Sequence, residues 1–281
     1  MRPHDGAWPA PAKLNLFLHI VGRRADGMHR LQTVFQFLDF GDTLHFRPCE
    51  GPRVRLLTSV AGVAEEDNLV VRAARRLQRE AGDGLGAEIR IEKRLPAGGG
   101  LGGGSSDAAT TLVALDHLWG LGLGTERLAE IGLELGADVP VFVRGRAAWA
   151  EGVGETLTPV DLPEPWYLVV VPPVSVSTAA VFADPELTRD CPPLTIGDFL
   201  RGDGGNVCEP VVCRHYPAVA GALARLSAYG AARMTGTGGC VFAAFERRED
   251  ARAAQASLGE AWRSFVARGR NRSPLSRHLE G

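Results

Sequence analysis

The feature that most constrains this chain is Leu95-Pro96-Ala97-Gly98-Gly99-Gly100-Leu101-Gly102-Gly103-Gly104-Ser105-Ser106. Six glycines and two serines lie between an alternating segment and a helical one. Upstream, Ala87 to Glu92 alternates apolar and polar residues and predicts a strand. Downstream, Asp107 to Trp119 places Ala108, Leu112, Leu115 and Trp119 along one side of a helix. Glycine lets the backbone approach a ligand closely and turn its N–H groups toward an anion. The start of the following helix adds unpaired N–H groups and its dipole. The natural ligand of such a loop is a phosphate. An idle loop of this composition would be entropically costly to order.

Known phosphate loops separate on their details. A Walker A loop needs G-x-x-x-x-G-K-[ST]; Gly98 and Gly103 fit, but Gly104 stands where the lysine belongs. Gly98-x-Gly100-x-x-Gly103 formally matches a dinucleotide fingerprint. That fold requires a second strand ending in an acid about 20 residues on. Gly124-Thr125-Glu126 instead opens a helix. A protein-kinase loop would be accompanied by His-Arg-Asp and Asp-Phe-Gly, and neither occurs.

The rest of the chain reads as mixed α/β. Lys13 to Val21, Leu31 to Phe40 and Thr43 to Arg47 predict strands, with Gly41-Asp42 as a turn. Asp67-Asn68 caps a helix running to about Glu80, and Thr125 caps another, through Leu128, Ile131 and Leu135, that ends at Gly136. Val141 to Val143 and Ala147 to Ala150 read as short strands. The proline-rich stretch from Val160 to Pro165 marks a domain boundary, giving domains 1–160 and 161–281. Beyond it, Trp166 to Val171 and Val241 to Phe245 predict strands, with helical pattern over Val211 to Leu226 and Glu249 to Leu258. Arg263 to Arg277 reads as a solvated face or loose end.

Charge and cysteines narrow the class. With 31 basic and 33 acidic residues, the net charge of −2 offers no global field for nucleic acid or a membrane surface. Only Lys13 and Lys93 are lysines; a lysine kept in so arginine-rich a chain hints at a need for an ammonium. The five cysteines are irregularly spaced. Cys208-x4-Cys213-x-His215 lacks a second ligand pair at zinc spacing. No apolar leader follows Met1, and no run approaches the roughly 18 apolar residues of a membrane span. The expectation is a reduced, cytoplasmic, soluble protein.

Pro96-x-Gly98-x-Gly100-Leu101-Gly102-x-x-Ser105-Ser106 closely resembles the nucleotide loop of the GHMP small-molecule kinases, with an extra glycine where serine is common. Pro11-Ala12-Lys13-Leu14-Asn15-Leu16 is similar to the family's first motif. Thr235-Gly236-Thr237-Gly238-Gly239-Cys240 is similar to its third. Arg24 to His29, Gly136-Ala137-Asp138-Val139-Pro140 and Gly152 to Glu155 resemble the branch that phosphorylates the 2-hydroxyl of a cytidine-diphosphate-linked methylerythritol, in the non-mevalonate isoprenoid route. The resemblance implies two α/β (α+β) domains, the first like ribosomal S5 domain 2 and the second ferredoxin-like, with the site between them. It implies ATP as donor, Mg²⁺, and a small-molecule substrate rather than nucleic acid or membrane.

The resemblance also assigns residues. Asp138 is the base and Lys13 lies near it; a lysine on an apolar strand should cap the strand end or neutralise something buried. Pro96 to Ser106 holds ATP, with Ser106 preferred over Ser105 for Mg²⁺, and Thr235 to Gly239 supplies the third glycine motif. Asn15 points with Lys13 by strand period and is a substrate candidate. Met28, His29 and Phe182 fall near the cytosine, with Thr178 at the rim. Met28 departs from the family, which commonly has an aromatic there. A neutral histidine donates and accepts, which suits a pyrimidine edge.

Overall fold

The computed structural model describes residues 6–60, 62–82 and 84–280. Residues 1–5, read for a leader, lie outside these. The chain enters through β1 (Trp8–Arg23), which runs antiparallel to β2 (His29–Glu50). Next come β3 (Val54–Leu56), α1 (Leu69–Ala81) and β4 (Leu85–Glu92). α2 (Gly103–Trp119), α3 (Thr125–Leu135) and α4 (Val139–Arg144) follow, then β5 (Ala148–Glu151) and β6 (Thr156–Pro159). The Asn68 side chain accepts from Val70 N–H and starts α1, whose Val70, Val71, Ala74 and Leu77 are buried. The first core joins Phe37, Leu44 and Ile89 of the strands to Leu77, Leu112, Ile131 and Phe142 of the helices.

The second half opens with β7 (Trp166–Val170) and four short helices: α5 (Thr178–Ala183), α6 (Ile196–Leu200), α7 (Glu209–His215) and α8 (Pro217–Leu226). It closes with β8 (Arg233–Met234), β9 (Val241–Phe245), α9 (Arg248–Leu258), β10 (Ser264–Arg270) and α10 (Pro274–Glu280). Leu168, Val170, Val241 and Ala243 pack there against Val212, Val219, Leu226 and Leu258. The sheet order is β3-β4-β2-β10-β7-β9-β8, with β1 and β5 also on β2 and β6 on β5. Among the described residues, no helix is long and apolar enough to cross a membrane.

Three local readings are corrected and a fourth is refined. Gly41-Asp42 is not a turn: β2 runs straight through it, and a Cβ on Gly41 would lie 2.1 Å from the Ala10 carbonyl oxygen. The glycine serves close approach of β1 to β2. Val141 to Val143 is helical, in α4, because Pro140 suits a helix start and left-handed Gly145 ends it. The helical pattern over Val211 to Leu226 is borne out, as two helices separated where Pro217 forces Tyr216 out of the helical region. Arg263 to Arg277 is no loose end. β10 pairs with β7 and also, through Gly269 and Arg270, with β2, so it stitches the two halves into one sheet.

Candidate active site

The three glycine-bearing and lysine-bearing motifs converge on a cleft of about 650 Å³. Gly98, Gly100 and Gly102 hold left-handed backbone with φ of 65°, 74° and 73°. At Gly100 a Cβ would lie 2.2 Å from the Thr235 carbonyl oxygen, so the loop is pressed against the third motif. Cys240 N–H donates to the Gly99 carbonyl at 3.0 Å, and Lys13 N–H to the Leu101 carbonyl at 3.0 Å. Asn206 Nδ2 donates to the Met234 and Gly236 carbonyls and anchors the third motif from behind. α2 begins at Gly103, inside the loop rather than at Asp107, and Gly102 brings no side-chain cap. Its first-turn N–H groups are therefore available to an anion.

Lys13 lies on β1 with its side chain buried. Its ammonium has three donors and three acceptors: Asn15 Oδ1 at 2.5 Å, the Gly100 carbonyl at 3.2 Å and Asp138 Oδ2 at 3.2 Å. Asn15 Nδ2 donates to Thr33 Oγ1, whose hydroxyl donates to the Phe17 carbonyl. The pair thus sits at the root of a fixed chain of bonds. Asp138 occupies the residue before α4, with its side chain one-third exposed in the cleft.

Ser105 lines the cleft and its Oγ faces Gly136, two residues before Asp138. Ser106 is fully buried, outside the cleft lining, and its Oγ has no partner. Lys93, noted in the sequence only as a rare lysine, also lines the cleft. It bridges Asp42 Oδ2 at 2.5 Å and Asp107 Oδ2 at 2.8 Å. Asp42 Oδ1 accepts from Arg94 and Leu95 N–H, just ahead of the loop. Asp107 Oδ1 is buried without a partner. Burial pushes the Asp107 carboxyl up to about 7 against the pull of Lys93, and Asp42 adds to the rise. Burial pulls the Lys93 ammonium down, but the two aspartates outweigh it and the net shift is upward.

At the cleft's other end Phe182, which lines it, stacks on His29, which stands just outside the lining, with ring centroids 4.9 Å apart and planes 21° apart. Thr178 Oγ1 lies 2.7 Å from Thr237 Oγ1 and ties α5 to the third motif. Burial, then Arg189 and Arg23, lowers His29 below the usual histidine range. Met28 is not brought into this group: it is 51% exposed and outside the cleft lining. Lys13, Asn15, the loop, Asp138, Thr178, Phe182, Gly236 and Thr237 share one cavity. Sequence reasoning missed Asn68, Leu69, Val60 and Val63, which form its wall beyond the loop. Asn68 was legible only as a helix cap.

Comparison with known proteins identifies the family. The family model for the GHMP kinases N terminal domain matches residues 68–146, and that for the GHMP kinases C terminal domain matches residues 194–264. The chain is 61% identical over 272 residues to 4-diphosphocytidyl-2-C-methyl-D-erythritol kinase of Pseudomonas paraeruginosa (strain DSM 24068 / PA7), covering 97% of this chain and 96% of that one. It is 61% identical over 273 residues to the protein of the same name from Nitrosococcus oceani, covering 97% and 98%. A crystal structure of 4-(cytidine 5'-diphospho)-2C-methyl-D-erythritol kinase superposes with a TM-score of 0.82 at 34% identity, covering 94% of this chain and 99% of that one. The Methanococcus jannaschii mevalonate kinase shares the fold, with a TM-score of 0.71 at 16% identity over 96% and 100%. The two family-model matches, together with 61% identity along 97% of the chain, place the chain in the GHMP kinase family.

Proposed function

We propose that the chain transfers the γ-phosphoryl group of ATP to the 2-hydroxyl of 4-diphosphocytidyl-2-C-methyl-D-erythritol, giving the 2-phosphate and ADP. The observation that carries this reading is the Lys13–Asp138 pair, set between a phosphate-type loop and the His29–Phe182 stack. The 61% identity to kinases of that name supports the substrate. The two family-model matches flank the boundary proposed at residues 160 and 161.

Phosphoryl transfer asks a protein for position, charge neutralisation and a base. The first-turn N–H groups of α2 and the Gly98 to Gly104 backbone receive the phosphates. The nucleoside lies toward Leu69, Val60 and Val63, the apolar wall beyond the loop. Asp138 takes the proton of the attacking hydroxyl as its oxygen bonds to the γ-phosphorus. The bond from that phosphorus to the bridging oxygen breaks, and ADP leaves. Lys13 holds the Asp138 carboxylate in place and offers positive charge beside the transferred group. Asn15 fixes Lys13.

Mg²⁺ fits the donor set. It takes few protein ligands and many phosphate and water oxygens. Ser105 Oγ is a side-chain oxygen donor in the lining beside the loop and the better placed of the two serines, which leaves Asp138 free to take the proton. When bound, the ion neutralises charge on the phosphates.

The cytidine end contains Phe182 and His29. The rings stand 4.9 Å apart, short of the roughly 7 Å that a base between them would need, so the base lies beside His29, edge to edge, with its face toward Phe182. The net charge of −2 supports a small-molecule partner over nucleic acid or a membrane. The direct test supplies ATP with the cytidyl substrate, mevalonate or homoserine and follows ADP release. Turnover with the cytidyl compound alone is expected. Faster turnover with either other alcohol overturns the assignment.

A further inference from the structure

One guanidinium outside every motif described above ties the cytidine end together. Arg189 Nη1 donates to the Leu187 carbonyl at 2.9 Å. Its Nη2 donates to the carbonyls of Phe182 at 3.0 Å and Asp184 at 2.7 Å. Its Nε donates to His29 Nε2 at 3.2 Å. Three of the four bonds close the turn that follows α5, the helix carrying Phe182. The fourth crosses to the first residue of β2, in the other half of the sequence.

Arginine has donors and no acceptor. The nitrogen of His29 that faces it must therefore offer a lone pair. A neutral imidazole carries one proton, so that proton sits on Nδ1. We infer that Arg189 is a positioning residue that fixes His29 as the Nδ1–H tautomer, and so fixes which base edge the site accepts. The inference rests on the cytidyl reading for its ligand, but not for its geometry.

An Nδ1–H facing the pyrimidine is a donor, and it needs an acceptor. N3 of cytosine is an acceptor; N3 of uracil carries a hydrogen. With the tautomer locked, His29 cannot present a lone pair to that hydrogen. The uridine analogue would leave two donors facing each other in a partly desolvated site. A site of this kind rejects the wrong partner far better than one relying on shape. Lysine could not substitute for Arg189, because a point charge lacks the planar fork that reaches the ring and three carbonyls at once.

The test has a part that needs no ligand. Nitrogen-15 NMR of the free wild-type protein at pH 8 reads which ring nitrogen of His29 is protonated. Nδ1–H is expected; Nε2–H overturns the inference. The kinetic part uses Arg189→Lys and Arg189→Met, with the cytidyl substrate and its uridyl analogue. Both variants should lose the fixed tautomer and raise the cytidyl KM by roughly tenfold or more, with a smaller cytidine-over-uridine preference. The KM for ATP and kcat at saturation should stay within about twofold. Retained tautomer and base preference in both variants overturns the inference. So does a parallel rise in the ATP KM, which would mark a general loosening of the cleft. A wild-type protein with the Nδ1–H tautomer but no cytidyl phosphorylation supports the Arg189 assignment and counts against the substrate alone.

Discussion

Lys13 Nζ lies 3.2 Å from Asp138 Oδ2, across a span of 125 residues that the fold closes through α2, which packs against both β1 and α4. The lysine is buried and the aspartate faces the cleft, so the pair is held from the protein side and open on the substrate side. Lys13 keeps two further acceptors in Asn15 and Gly100. Loss of the carboxylate would therefore not leave the ammonium bare. This arrangement separates chemistry from folding.

The loop contains glycines with two different jobs. A Cβ at Gly100 meets the Thr235 carbonyl at 2.2 Å on left-handed backbone, whereas at Gly104 the nearest atom is Leu69 Cδ1 at 3.6 Å. Gly100→Ala should destabilise the fold and hurt both substrates together. Gly104→Val should leave the melting temperature near wild type, because no protein atom blocks it, yet raise the KM for ATP at least tenfold. Thermal melts and separate titrations of each ligand check this. An unchanged ATP KM in Gly104→Val would remove the first turn of α2 from the phosphate site.

Asp107 gives a pH dependence with a definite sign. Its carboxyl is raised from 3.8 to about 7, so between those values the folded state binds more protons than the unfolded. Stability from this group is full below the unfolded value and is lost as pH rises toward 7, by up to about 1.4 kcal/mol per unit. Asp107→Asn keeps an acceptor for Lys93 and removes the titration. The variant should match wild type near pH 4 and exceed it above pH 7. Chemical denaturation at pH 4, 5.5, 7 and 8 measures the difference; parallel curves would exclude a buried titrating Asp107.

The cytidine end should respond to aromatic content. Phe182→Ala should weaken the cytidyl substrate by roughly 1–3 kcal/mol, the value of one base stack, with ATP affinity unchanged. Met28 is half-exposed one residue before His29. From that position at the rim, Met28→Tyr should leave cytidyl binding unchanged or tighten it by up to about tenfold, since a stack is worth more than a thioether contact. Calorimetry on both variants, with ATP as control, tests the placement. Normal cytidyl affinity in a folded Phe182→Ala protein would assign Phe182 to the core.

Much of this was legible because local chemistry and global packing agree. The glycine loop, α1 with its Asn68 cap, α3 with its Gly136 stop, and β7 and β9 all carry their own signals. What escaped depends on contacts distant in sequence. β10 reads as a basic tail because its arginines are neutralised elsewhere: Arg270 reaches Asp39 and Glu164, and Arg268 Nε bonds the Glu164 carbonyl. The apolar run at α4 is too short for periodicity to separate helix from strand. Lys93 became more than a rare lysine only when β2 brought Asp42 and α2 brought Asp107 to it. Arg189 carried no signal, since its role is defined by carbonyls and a histidine 160 residues away.

The most direct measurement is phosphoryl transfer by wild type and Asp138→Asn, with ATP and the cytidyl substrate, followed by phosphorus-31 NMR alongside ATP affinity. The account predicts a new phosphomonoester on the 2-oxygen, formed one-for-one with ADP by wild type. In Asp138→Asn it should form roughly 10²–10⁴-fold more slowly while ATP binds as before. A variant that turns over at close to the wild-type rate, or a wild-type protein that forms no such phosphomonoester, would contradict it.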